Sequence, residues 1–412
     1  MQIVIHRGIN QIGGCITEIA TSTSRILIDL GQNLPDNTGD ISDPLANSEA
    51  VERIVKGVDA IFYSHYHGDH VGLMEFVPEG VEQYIGSVAK EVMAVKAKYL
   101  RKEECTISIL KTFNKLNEIT KGNITIIPFL VSHSACDSYM FLIEADGKKV
   151  LHTGDFRDHG YIGEGLIPAI KKYIGQVDFL ITEGTMLSRS NEKVPTESHL
   201  QMMARKLMHK HKYVFVLGSS TDIDRIATFH KANPDGRLFV CDSYQAEVLD
   251  VFTHNNGAYS GLYKFDNISV FPDSNLLKNM IDKGFCMMIR CNKNKGKYSK
   301  FTDLVIDRIP KSDRMAIYSM WSGYIAEGRN QKTEYIELLS KFDNVGQIHT
   351  SGHASQECLI KVCNLTAPRL AIIPIHSENS ENFRQLLSYT DINSRIVTAS
   401  ECINGVDIII RE

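Results

Sequence analysis

The stretch Val58-Asp59-Ala60-Ile61-Phe62-Tyr63-Ser64-His65-Tyr66-His67-Gly68-Asp69-His70 decides how this chain is read. An apolar, strand-like run ends in three imidazoles and a carboxylate within six residues. In an extended turn, the spacing H-x-H-x-D-H sets alternate side chains on one side. Imidazole with carboxylate suits Zn²⁺ or Mn²⁺ and needs no thiolate. A lone histidine in a polar loop is ordinarily a surface residue. Four ligand-type side chains crowded behind a buried strand read instead as a metal site at a strand end.

One such tetrad does not close a two-metal site, which needs a bridging carboxylate and ligands from several strand ends. The chain offers them. His133 follows the apolar run Ile126 to Val131, Asp155 follows Val150 to Thr153, and His376 follows Ile372-Ile373-Pro374-Ile375. Any one of these read singly is a core or capping residue. Together with the tetrad they read as ligand-type residues at strand ends, where sites of layered α/β folds collect.

A chain of 412 residues is long enough for two domains, or for one large α/β unit with an insertion. Its hydrophobic content of 43% and charge of 23% exclude a disordered or fibrous protein. No apolar run reaches the length of about 18 residues that a membrane span needs. The first residues, Met1 to Arg7, open directly into a strand-like run without the features of a signal peptide, so a cytoplasmic protein is expected. Nine scattered cysteines, Cys15 among them, form no C-x-x-C pair and read as reduced, buried thiols. Net charge is −4, but residues 189–345 hold 23 Lys and Arg against 18 Asp and Glu. An acidic body joined to a mildly basic segment is a polarity that a phosphodiester substrate can use.

Paired strands are expected over the first 30 residues, a helix over Pro44 to Lys56, and a helix over Val88 to Leu100. Strands are expected again at Ile124 to Leu130, Ser138 to Glu144 and Lys149 to Thr153, with Asp146-Gly147 as a hairpin signal. After Glu183 the pattern changes to strands alternating with helices, which argues for a small parallel sheet. Gln347 to Thr350 and Arg369 to Ile375 look like a return to the first body, so the second unit is inserted.

The ordered set Asp29, His65-x-His67-x-Asp69-His70, His133, Asp155, Glu183, His353 and His376 resembles the metallo-β-lactamase fold with a β-CASP insertion, the family of ribonuclease J. The tetrad alone marks only the superfamily. Three later pieces carry the narrower resemblance: Glu183 in Leu180-Ile181-Thr182-Glu183-Gly184-Thr185, the segment Thr350-Ser351-Gly352-His353-Ala354-Ser355-Gln356-Glu357, and Ile373-Pro374-Ile375-His376. In that family a histidine at the closing motif goes with RNA processing. The resemblance implies an αββα sandwich over residues 1–187 and 346–412, with an inserted α/β domain over 188–345.

What the resemblance implies for these residues is a pair of Zn²⁺ ions, with Mn²⁺ as an alternative. His65, His67 and His133 would hold one, Asp69, His70 and His376 the other, and Asp155 would bridge them together with a water activated for attack on phosphorus. Asp69 could also accept the nucleophile's proton. Asp29 and Glu183 would orient ligands. His353 would contact the scissile phosphate or protonate the leaving oxygen. Ser351 to Ser355 would bind substrate, the backbone N–H groups of Gly352 to Ser355, at a helix start, binding a neighbouring phosphate. The implied substrate is single-stranded RNA, cleaved from a 5′ end or internally, and a homo-oligomer is compatible. Ribonuclease J has a further C-terminal domain that this chain is expected to lack. Near the start, Ile9-Asn10-Gln11-Ile12-Gly13-Gly14 has glutamine where these nucleases often carry glutamate, and this loop is expected to serve geometry.

Three substrate signals are weaker. The segment Cys291 to Phe301 has four lysines and two aromatics, which suits a single-stranded backbone or simply a solvated loop. Gly218 to Arg225 suits phosphate or N-capping equally. Trp321 is expected to pack between domains, with base stacking as the alternative. A DNA-directed nuclease of the same fold, a small-molecule metallo-hydrolase and a non-catalytic scaffold are the competing readings.

Overall fold

Short runs rich in Ile, Val and Leu form the strands, and those at Arg25–Ile28 and Ala371–Ile375 are buried on both faces, as parallel strands between layers must be. The computed structural model describes residues 1–411 apart from 37–39, 101–104, 190–193, 272–275, 292–296, 329 and 389. Two of its sheets face each other. One has eight strands, with Gln2–Arg7, Ile16–Ala20, Arg25–Ile28, Ala60–Phe62 and Glu82–Gly86 adjacent in that order. The other has seven, with Ala371–Ile375, Phe179–Glu183, Lys148–His152, Ser138–Ala145 and Ile124–Val131 adjacent in that order. Ile5, Ile28, Phe62 and Phe141 meet Ile181 and Ile373 in the core between them. Helices Ser48–Val55 and Ser87–Leu100 pack on the first sheet around Ile61 and Ile85, and Gln356–Thr366 and Glu381–Leu387 pack on the second around Leu180 and Ile372. This is the expected αββα sandwich.

The third sheet has six strands, every neighbouring pair parallel, in the order Ile268–Phe271, Leu238–Asp242, Phe285–Ile289, Tyr213–Leu217, Arg314–Tyr318 and Asn344–Gln347. Helices such as Ile223–Ala232 and Ser243–His254 make the crossovers that parallel pairing requires. One expectation changes here. The run starting at Gln347 does not open a strand of the first body. Asn344–Gln347 pairs with Arg314–Tyr318, and the pairing ends with Ile348 N–H donating to the Tyr318 carbonyl, after which the chain leaves the sheet. The first helix also begins later than Pro44, at Ser48, because the Asn47 side chain caps it by accepting from Ala50 N–H. Asp146 and Gly147 both have positive φ, 49° and 68°, as the two central residues of a tight hairpin require. Of the basic segment Cys291 to Phe301, residues 292–296 lie outside the described residues, and Phe301 sits on the helix Lys297–Arg308.

Charges nowhere evident as core residues join the third sheet to the sandwich. Arg157 follows a strand of the second sheet and is wholly buried. Its guanidinium donates to Asp224 at 2.8 Å and to the Ser351 carbonyl at 2.9 Å, and lies 3.3 Å from Glu197. Arg225, equally buried, donates to Glu197 at 2.9 Å and to the Thr350 carbonyl at 3.1 Å. Glu197 therefore faces both guanidiniums, and its carboxyl is pulled down to about 2: burial opposes the charge, but Arg225 and Arg157 outweigh burial. Removing one member of such a group leaves uncompensated buried charge. Glu197→Ala is expected to lower unfolding free energy by about 3–5 kcal/mol, read as a drop in the urea midpoint without loss of cooperativity.

Candidate metal centre

Parallel strands in both sheets deliver their following residues to one place. Arg25–Ile28 runs parallel to Ala60–Phe62, and Lys148–His152 and Phe179–Glu183 run parallel to Ala371–Ile375. Asp29, the tetrad, Asp155, Glu183 and His376 stand at or just beyond those carboxyl ends, and His133 lies just beyond Ile124–Val131. They converge on one carboxylate oxygen. Asp155 Oδ2 lies 3.3 Å from His70 Nε2, 3.5 Å from His376 Nε2, 3.8 Å from His133 Nε2 and 4.0 Å from His65 Nε2. On one side of it, ligand atoms of His65, His67 and His133 lie within 4.8 Å of one another. On the other, Asp69 Oδ2 is 3.2 Å from His376 Nε2 and 3.9 Å from His70 Nε2.

The remaining ring nitrogens are held from behind. Asp29 accepts from Ser64 N–H at 2.7 Å and Ser64 Oγ at 2.8 Å, and its other contact is His70 Nδ1 at 2.7 Å. His133 Nδ1 is 2.7 Å from the Gly352 carbonyl, and His376 Nδ1 is 2.7 Å from Thr185 Oγ1. Such contacts fix tautomer and ring direction, leaving Nε2 to face the centre. The tetrad itself differs from the expected extended turn. His67 is extended, but Gly68–Val71 forms a helical turn carrying Asp69 and His70. The Asp29 loop makes this possible: Leu30 N–H donates to the His70 carbonyl and Gln32 N–H to the Gly68 carbonyl. Gly31 must be glycine for that approach, since a Cβ there would lie 1.8 Å from the Asp69 carbonyl oxygen.

The electrostatics of the protein alone show a site short of positive charge. Burial pushes His65 and His133 far below the ordinary imidazole range and His67 down to about 4, so these three are neutral ligands-in-waiting. Burial also opposes charge on His70, yet Asp155, Asp29 and Asp69 outweigh it and raise that imidazole well above the usual value. Asp155 is driven down despite its burial, chiefly by His376 and His70. Two atoms decide whether a metal fits. His65 Nε2 and His70 Nε2 are buried without a partner in hydrogen-bond geometry, and a buried unsatisfied nitrogen aimed at carboxylates is what a divalent cation would satisfy. The donor set of imidazole and carboxylate suits such an ion.

Glu183 and the Ser351 segment form a second layer. Glu183 Oε1 accepts from Phe156 N–H at 3.1 Å and Ala354 N–H at 3.2 Å, while Oε2 is 3.0 Å from His353 Nδ1. One carboxylate thus ties the Asp155 loop to the segment Ser351 to Ala354. His353 Nδ1 is also 3.6 Å from Asp155 Oδ2, and although burial opposes it, Glu183 and Asp155 raise this imidazole above its ordinary value. Ser355 caps the helix Gln356–Thr366, as the helix start in the sequence implies. Two N–H groups expected to face phosphate are engaged within the protein: that of Ala354 on Glu183, and that of His353 on Ser351 Oγ at 3.1 Å. The Ser351 carbonyl is held by Arg157 and by His159 at 2.7 Å. Gln11 donates to the Gly13 carbonyl and to Asn33, a loop-shaping role. Sequence reasoning passed over Thr185, Arg157 and His152. His152 Nδ1 accepts from Gly154 N–H at 3.1 Å and so shapes the turn into Asp155; its one signal was its place in His152-Thr153-Gly154-Asp155.

Comparison with known proteins agrees with this arrangement. Residues 24–214 match the beta-lactamase superfamily domain, and residues 343–397 match the Zn-dependent metallo-hydrolase RNA specificity domain. The chain is a metallo-β-lactamase-fold protein with a β-CASP insertion. The chain is similar to ribonuclease J of Helicobacter pylori, with 22% identity over 90% of the chain and 55% of the relative. Ribonuclease J of Mycoplasma genitalium is 22% identical over 92% of the chain and 68% of the relative, and an RNase J-like protein of Methanocaldococcus jannaschii is 30% identical over 44% of the chain and 41% of the relative. The chain thus spans about half the length of the Helicobacter protein it matches. A crystal structure of a protein of unknown function from Enterococcus faecalis shares the fold, with TM-score 0.74, 21% identity, and coverage of 96% of this chain and 97% of that one.

Two outcomes follow from the layer behind the ligands. Asp29→Asn removes the charge that orients His70 and should weaken metal binding by roughly 10–100-fold, measured by competition with a chelator. Burial pushes His152 down to about 4 from an ordinary 6.5, so the unfolded chain binds the extra proton first as pH falls. Stability of the metal-free protein carried by this group is therefore present above about pH 6.5 and lost on the way to about pH 4. The denaturant midpoint of His152→Asn should fall less than that of the parent across that window.

Proposed function

We propose that this chain is a metal-dependent ribonuclease that hydrolyses phosphodiester bonds of single-stranded RNA, with Asp155 at the midpoint of a two-ion centre. The observation that carries this reading is the single oxygen Asp155 Oδ2 facing the Nε2 atoms of His65, His70, His133 and His376 and, beside them, His353 Nδ1, with a separate ligand-type group to each side. His65, His67 and His133 would hold one ion, and Asp69, His70 and His376 the other, Asp155 being shared. Zn²⁺ is the ion this donor set favours, and Mn²⁺ is compatible with it. Three buried carboxylates, Asp29, Asp155 and Glu183, and the largely covered Asp69 make two dications a reasonable charge balance. When bound, such ions lower the pKa of water and offset charge developing on phosphorus.

The protein's own groups divide the rest. Asp69 accepts a proton from the attacking water. His353, whose imidazole is raised above its ordinary value by Glu183 and Asp155 against the effect of burial, donates to the leaving oxygen or contacts the scissile phosphate. Glu183 keeps His353 in place and fixes the Ala354 N–H. Ser351 to Ser355 form the wall along which the neighbouring phosphate runs. Beside Ser351 is a cavity of about 300 Å³ bordered by Leu200, Met203, Trp321 and His349. Arg189 stacks on Trp321 at 4.4 Å, a pairing that presents a flat cationic surface to a base or phosphate. The basic balance of residues 188–345, taken as the inserted domain between 1–187 and 346–412, supports a polyanionic substrate over a small molecule. RNA is preferred to DNA because the matched domain over 343–397 bears the RNA-specificity description. A cytoplasmic protein, acting from a 5′ end or internally, is consistent with this reading.

The test is degradation of end-labelled single-stranded RNA and DNA by metal-loaded protein. RNA loss should fall by at least about 100-fold in Asp69→Asn and in His353→Ala. RNA with sulfur at the leaving position needs no proton donor, so it should restore His353→Ala far more than Asp69→Asn. Undiminished RNA loss in Asp69→Asn refutes the mechanism, and equal loss of DNA favours a DNA-directed enzyme.

A further inference from the structure

Cys15 stands just before the strand Ile16–Ala20, with 1% of its surface exposed. Six of the described cysteines are buried, and five of them, Cys136, Cys241, Cys286, Cys358 and Cys363, belong to apolar clusters. Cys15 belongs to none of those clusters. A buried thiol that merely fills space should face hydrocarbon. This one faces ligands instead: its Sγ lies within 4.8 Å of a ring nitrogen of His70 and of His376, which also lie within that distance of each other. Ligands of one zinc ion stand no farther apart than two bond lengths, about 4.4 Å for sulfur and imidazole nitrogen, so a small inward movement seats all three on one ion.

The backbone keeps Cys15 at that spot. Its N–H donates to the Asp69 carbonyl at 3.1 Å, and its own carbonyl accepts from Gly31 N–H at 3.0 Å. The residue is thus strapped to the same turn that carries Asp69 and His70. Gly8 opposes the sulfur with φ of 113°, and a Cβ there would come within 3.1 Å of Sγ. A second, independent observation points to a ligand in this place: His70 Nε2 is buried with no hydrogen-bond partner.

We propose that Cys15 is a thiolate ligand of the ion held by Asp69, His70 and His376, so that the two metal positions differ in kind. The proposal rests on the metal-centre reading above and not on RNA as substrate. The thiol proton leaves to solvent as the ion binds. One position is then built from three imidazoles and the shared carboxylate. The other adds sulfur to nitrogen and oxygen, which favours Zn²⁺ or Co²⁺ there over Mn²⁺ and makes that position alone sensitive to oxidants.

Cobalt substitution tests this without reference to catalysis. Protein loaded with two equivalents of Co²⁺ should show a sulfur-to-cobalt charge-transfer band in the near ultraviolet. The band should vanish in Cys15→Ser and persist in Cys402→Ser, a change at an exposed cysteine. Chelator competition should show one of the two ions bound at least about 10-fold more weakly in Cys15→Ser, the other unchanged. Absence of the band from the parent protein overturns the proposal whether or not the variant folds, as does a band that survives in folded Cys15→Ser. If the band is present and RNA is not degraded, the ribonuclease reading fails and the thiolate assignment stands.

Discussion

Everything in this fold answers to the crowding around one oxygen. Asp155 Oδ2 has five imidazole nitrogens within 4.0 Å, in a pocket where burial disfavours each charge. In the protein alone, that crowd is relieved by dividing the imidazoles. Burial pushes the imidazoles of His65 and His133 down, whereas at His70 the carboxylates around it outweigh burial and push the imidazole up. Such an arrangement leaves two nitrogens with nothing to bond. It is also why the surrounding layer is so heavily hydrogen bonded: Asp29, Thr185, Glu183 and the Gly352 carbonyl each hold a ring or loop that local preference would not hold.

The third sheet reaches this centre through charge and not through apolar contact alone. Glu197 and Asp224, from helices beside that sheet, pin Arg157, and Arg157 pins the Ser351 carbonyl. Arg225 does the same for the Thr350 carbonyl. Two guanidiniums thus fix consecutive backbone oxygens just ahead of His353. Five-donor planar forks suit this task, since one group can satisfy a carboxylate and a carbonyl at once. A movement of the third sheet against the sandwich would strain the segment that places His353, so the position of the insertion and the geometry of the site are coupled through a short chain of bonds.

How much of this was legible in the sequence depends on where each residue sits. His65 to His70, His133, Asp155, Glu183 and His376 could be found because each ends or follows an apolar run, and strand ends are readable without tertiary information. The parallel third sheet followed from the alternation of strands and helices, and the αββα layering was implied by the resemblance that the site motifs carry. The ionic group of Arg157, Glu197, Asp224 and Arg225 was not legible, since a charged residue on a helix reads as solvated until packing buries it. The fate of Gln347 to Thr350 was misread for a related reason: apolar patterning marks a strand but not the sheet that receives it. The turn at Gly68–Val71 was misread because its shape is imposed by the Asp29 loop, distant in sequence.

Backbone strain marks the same boundary between local preference and imposed position. Asp29 and His376 have φ of 62° and 48°, a left-handed region that costs a non-glycine residue about 1–2 kcal/mol. Each occurs just as a buried parallel strand ends and the chain must turn toward the centre. Glycine would relieve the strain at both points, yet neither position can be glycine without losing a contact the centre uses. Asp29 supplies the carboxylate behind Ser64 and His70. His376 supplies a nitrogen facing Asp155, and Thr185 Oγ1 holds both its ring and its carbonyl. Side chains that cannot be exchanged are therefore sitting where the backbone would choose glycine, and the hydrogen bonds around them are what make that choice stable.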